Sequence, residues 1–134
     1  MSPPPERDSP LTQDLWPTEI RLLSDRRVLA ISFDNGSRVE VPAELLRVES
    51  PSAEVQGHSP SERRLVAGKR NVTIQGVDPV GNYAVRLLFD DGHSTGIFTW
   101  TLLADMGLRQ AEIMRDYEER LAGKGLDRDR PGLG

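Results

Sequence analysis

Two aspartates, a glycine and a histidine stand together in FDDGHSTGIFTW, residues 89–100. Asp90, Asp91 and His93 are residue types that move protons or ligate metals. Paired carboxylates work as general acid and base when their surroundings push their pKa values apart, and imidazole with carboxylates holds transition metals. The same letters also spell a tight turn, because Asp-Gly suits a two-residue type I′ connection between strands. An earlier stretch, FDNGSRVEV at 33–41, carries Ser37 where this one carries His93. A turn of this kind therefore needs no histidine, and His93 asks for its own explanation. The second histidine, His58, could join His93 in a metal set with Glu54 or Asp91.

Other chemistries fail on spacing. The chain has no cysteine, which removes disulfides, thiolate zinc sites, iron–sulfur ligation and cysteine nucleophiles. Gly68-Lys69-Arg70-Asn71 has Arg63 and Arg70 where a phosphate loop needs Gly and Ser or Thr, so it reads as a basic turn before a strand. No Gly-x-Ser-x-Gly elbow occurs, and neither histidine opens the His-x-Asp/Glu of a facial iron triad. Trp100 and Phe98, on one face with Gly96, read as core aromatics. The net charge is −4, of which 1–15 carries −2 and 122–134 carries +1, leaving −3 on the centre. An acidic centre makes a poor phosphate-backbone binder, so nucleic acid is not an expected partner. The N-terminus lacks an apolar signal segment and no stretch approaches the length of a membrane span, so the expected compartment is the cytoplasm.

The elements that would position these residues follow from pattern. Residues 1–15, with four of the ten prolines, and the glycine-rich 123–134 are expected to be disordered tails around one domain at 16–122. Leu29, Ile31 and Phe33 share a strand face before the Asn35-Gly36 turn. Val72 with Ile74, and Tyr83 with Val85, Leu87 and Phe89, do the same further on. FDNGSRVEVPAELL and FDDGHSTGIFTWTLL align with one extra residue in the second, each reading as strand, turn, strand and helical turn, with Pro42 opening the first helical turn. Ser59-Pro60-Ser61-Glu62 has the form of a capping box. Met106, Ile113, Tyr117 and Leu121 form one helical stripe, predicting a helix over about 105–121. The expected fold is α+β: two related hairpin–helix units of antiparallel strands, with a C-terminal helix packed on the sheet.

The runs SPSAE, GKRNV, GNYAVR and FDDGH-TGI-TW together resemble the gamma-butyrobetaine hydroxylase-like N-terminal domain family, over about Trp16–Leu103 and with the C-terminal helix of its small stand-alone bacterial members. In the hydroxylases this module precedes an oxygenase domain that uses iron and 2-oxoglutarate. Residues 1–134 hold no such iron set, so no hydroxylase activity is expected of them. The resemblance also implies a zinc ion held by Cys-x-Cys-x-x-Cys and the histidine of the Asp-Gly-His turn. Here Ser50, Ser52 and Val55 stand at the three thiolate positions and only His93 is kept. His93 is thus a vestigial ligand, and tightly bound zinc or any other cofactor is not expected. A similar module appended to Mrp-type ATPases that carry iron–sulfur clusters implies an accessory role in iron–sulfur or metal-enzyme maturation. The resulting expectation is a non-enzymatic binding module that meets a protein partner through His58, Lys69, Arg70, Asp91 and His93. The rival is a metal-binding protein using His93 with His58 in a degenerate form of the zinc site, and a third reading is a small-ligand pocket between the two units.

Overall fold

Strand alternation of apolar residues builds two antiparallel sheets of the same plan. The computed structural model describes residues 16–51 and 65–129. The first sheet has the order β1 (Pro17–Leu23), β2 (Val28–Phe33), β3 (Arg38–Pro42) and leads into the short helix α1 (Ala43–Val48). The second repeats this as β4 (Ile74–Val80), β5 (Ala84–Phe89), β6 (Ile97–Thr99), followed by helix α2 (Trp100–Leu108). Helix α3 (Gln110–Gly123) completes the α+β fold. Leu29, Ile31 and Phe33 of β2 and Val85, Leu87 and Phe89 of β5 are buried in one cluster with Leu45, Leu46, Leu103 and Tyr117. No helix among the described residues is long and apolar enough to cross a membrane.

The internal repeat is larger than the hairpins. β1 and β4 each precede their hairpin, each carries a register irregularity two residues in, and each is capped by the turn of its own sheet. The Asp34 N–H donates to Trp16 O, and the Asp90 N–H donates to Thr73 O. β1 was not visible in the pattern because its turn to β2 uses Ser24, Asp25 and Arg26, all at positive φ with no glycine to announce them. The extra residue of the second unit lies between His93 and β6, where the pairing shifts by one relative to the first.

Both hairpin turns correct the type I′ expectation. Phe33 N–H donates to Ser37 O and Gly36 N–H to Phe33 O; Phe89, His93 and Gly92 repeat this arrangement. Only the glycines, at φ +89° and +91°, take positive φ, so each loop is a three-residue type I turn closed by a left-handed glycine. Asn-Gly and Asp-Gly suit both geometries.

The C-terminal helix also differs from expectation. Helical structure begins at Trp100, where Thr99 Oγ1 accepts from Leu102 N–H, and is interrupted at Arg109. Gly107 lies so close to β3 that a Cβ would collide with Val39, and Gln110 donates to Glu40 O, so anchoring on β3 decides the path of α2 and the start of α3. Met106, Tyr117 and Leu121 are buried as the stripe required. Phe98 is core, but Trp100 is half-buried and donates from Nε1 to Asn82 O. Pro42 occupies the N-cap position of α1 rather than the first turn. The capping box at 59–62 lies outside the described residues.

The described chain continues past Gly123 to residue 129 and makes contacts with the domain. Asp127 O and Arg128 O accept from the N–H groups of Gly68 and Arg70, and Arg128 forms a two-pronged ion pair at 2.6 and 2.7 Å with the buried Glu44 of α1. A buried carboxylate requires such a partner, which outweighs the glycine-rich composition around it.

Candidate functional site

His93 follows the left-handed Gly92 at the tip of the second hairpin, and its ring turns inward. It is buried beside Phe89, with ring centroids 6.1 Å apart and tilted by 43°. Its Nε2 lies 3.0 Å from Oγ of Ser50, which is fully buried just after α1. The family resemblance implies a thiolate position at Ser50; in the structure this residue is a hydrogen-bond partner of His93. Gly96 makes the approach possible: a Cβ there would collide with Ser50 Oγ and come within 3.1 Å of the Phe98 ring.

Asp90 and Asp91 have separate tasks. Asp90 Oδ1 accepts from Thr73 N–H at 3.2 Å, tying the turn to the approach of β4. Asp91 Oδ1 accepts from the His93 N–H at 3.0 Å, as Asn35 Oδ1 accepts from Ser37 N–H in the other unit. Oδ2 of Asp91 meets Arg47 Nε at 2.7 Å and Lys69 Nζ at 2.6 Å. Burial opposes ionisation of Asp91, but hydrogen bonds from Lys69, the His93 backbone and Arg47 outweigh it and hold its pKa at about 2. A carboxylate held this low stays ionised and is a weak proton acceptor.

Of the candidate residues, Asp91, Lys69 and His93 converge, and Ser50 joins them from below. Arg70 turns away to Asp129 of the C-terminal segment. His58, Glu54, Ser52 and Val55 lie outside the described residues. Two participants were missed: Arg47, 44 residues from Asp91, and the Glu44–Arg128 pair that fixes the segment beside Arg70. No sequence signal marks either, because each is a long-range match of ordinary charged residues.

The zinc set implied by the resemblance does not fit these donors. The atom presented to His93 Nε2 is a neutral hydroxyl, whereas structural zinc takes thiolate, imidazole or carboxylate. Among the described residues no three His, Cys, Asp or Glu side chains are placed to hold a metal ion.

Comparison with known proteins places this geometry in a family. The chain is similar to two proteins solved by NMR in solution. One is 44% identical with TM-score 0.75, covering 90% of this chain and 89% of the other. The second is 42% identical with TM-score 0.73, covering 90% and 94%. A crystal structure of a protein of unknown function from Acidithiobacillus ferrooxidans, of the DUF971 family, is 41% identical with TM-score 0.58, covering 74% and 97%. No curated protein matches the chain. The profile of the gamma-butyrobetaine hydroxylase-like, N-terminal family matches residues 20–104, including both hairpins and the His93 turn, and the chain belongs to that family.

Proposed function

We propose that this chain is a non-enzymatic binding module of the cytoplasm, which engages a protein partner through the surface at the His93 turn, Lys69 and Arg70. The observation that carries this reading is the commitment of the site's polar groups to structure. Asp91 binds two cations and a backbone N–H, and His93 is buried against Ser50. Such a turn is preorganised, which lowers the ordering cost of association.

The partner class is set by analogy with related modules attached to iron–sulfur ATPases: a protein of iron–sulfur or metal-enzyme maturation. Neither nucleic acid nor membrane is a partner in this reading. Affinity capture from native extract tests it, run in parallel with the parent and a Lys69→Ala/Arg70→Ala double variant, with metal content measured on the purified protein. A partner retained by the parent and lost by the variant is the expected result. Equal capture by both would refute the surface, and one zinc per chain surviving a mild chelator would favour the rival in which His58 and His93 hold a metal.

A further inference from the structure

The two sheets are built alike, yet their outer edges are not, and the difference follows from hydrogen-bond alternation. Phe33 and Ser37 form a hydrogen-bonded pair, so the backbone groups of Phe33, Ile31 and Leu29 face β3, and those of Ser32, Ala30 and Val28 face β1. Their partners on β1 are Glu19, Arg21 and Leu23. The N–H and C=O groups of Ile20 and Leu22 consequently point away from the sheet. The same argument from Phe89 and His93 turns Val77 and Pro79 of β4 outward. Pro79 has no N–H to offer, and Arg26 Nη1 donates to Gln75 O on the same edge. The outer edge of β4 is closed to a further strand. At the position equivalent to Pro79, β1 carries Leu22, and among the described residues no strand pairs with its outer edge.

We propose that the outer edge of β1 pairs with β1 of a second copy of this chain, antiparallel and centred on Ile20. Charge selects this register. With Ile20 opposite Ile20, Thr18 faces Leu22 and the outward-pointing Glu19 faces Arg21, twice per dimer. These fall at non-hydrogen-bonded pairs, where the Cα atoms approach to about 4.5 Å and cross-strand charges interact best. Sliding the centre to Glu19 or Arg21 would set like charges against each other. Both side chains are available, 51% and 61% exposed, joined within one strand by only a long 3.6 Å contact.

The inner face is complementary as well. Ile20, Arg21 and Leu22 border a largely apolar cleft of about 510 Å³, with Val77, Pro79, Val85 and Trp100. An added strand brings a second Ile20 and Leu22 to the same side, over this cleft. Two-fold pairing of one patch with itself closes the assembly at two copies and leaves no further open β1 edge.

Sedimentation equilibrium of the full chain over a range up to about 0.5 mM tests the proposal. The parent should show a concentration-dependent dimer. Glu19→Arg and Arg21→Glu, both exposed and expected to keep the parent's far-UV circular dichroism, should each weaken it about tenfold or more, and the double variant Glu19→Arg/Arg21→Glu should restore it. Leu22→Pro, copying Pro79, should abolish it. A parent that stays monomeric, single variants that dimerise like the parent, or a double variant no better than the singles would overturn the proposal.

Discussion

Ser50 Oγ and His93 Nε2 lie 3.0 Å apart in a buried hydrogen bond, although 43 residues separate them in the chain. This contact joins the end of α1 to the tip of the second hairpin and occupies the place where the family resemblance puts a thiolate and its zinc.

The crossing should contribute measurably to stability. Ser50→Ala should cost about 1–2 kcal/mol, the usual range for a buried polar group that loses a partner. Gly96→Ala should cost about 1–3 kcal/mol through overpacking against Ser50 and Phe98. Combined, the two should cost less than their sum, because Ser50→Ala removes one of the atoms the new methyl meets. Urea unfolding of the three variants checks this, and strict additivity would argue against direct contact.

Asp91 gives a pH signature. Its pKa is lowered from 3.8 to about 2, so its contribution is fully present above pH 4 and fades as pH falls toward 2. Asp91→Asn should therefore be less stable than the parent at pH 6, by about 1 kcal/mol once screening at a partly exposed site is allowed for. The gap should close by about pH 2. Denaturation midpoints of both proteins across this range provide the measurement; a gap independent of pH would contradict the assignment.

The C-terminal segment should be structural. Arg128→Ala leaves Glu44 buried without its two-pronged partner and should cost about 3 kcal/mol. Replacing Glu44 by Gln alongside should recover part of the loss, because the remaining amide carries no charge. Thermal unfolding decides this, and an unchanged midpoint in Arg128→Ala would mean that residues 124–129 do not hold the domain.

How far the sequence reaches is clear from these residues. Both hairpins were legible because apolar alternation and Asp/Asn-Gly turns are local signals. The turn geometry was not, since the same dipeptides serve two loop types. β1 escaped because Ser24, Asp25 and Arg26 form a left-handed turn without glycine. Ser50 was found through the family registry, while Arg47–Asp91 and Glu44–Arg128 depend on contacts across 44 and 84 residues that no local pattern encodes.

Rebuilding the zinc set tests the registry. Ser50→Cys, Ser52→Cys and Val55→Cys together should place three thiolates beside His93. Such a set typically binds zinc with about 10 kcal/mol or more, and binding to the folded state raises thermal stability. One zinc per chain, lost when His93→Ala is added, is the expected result. Zinc binding no tighter than in the parent, or indifferent to His93, would show the registry to be wrong.

The most direct test of the binding-module reading is site-specific photo-crosslinking in cells, with the reactive group placed at Arg70 or at Glu119, both exposed. The reading predicts one discrete protein adduct from position 70, unchanged when the cells are treated with a zinc chelator, and no such adduct from position 119. Failure to form an adduct at position 70, the same adduct from both positions, or an adduct that disappears on chelation would contradict it.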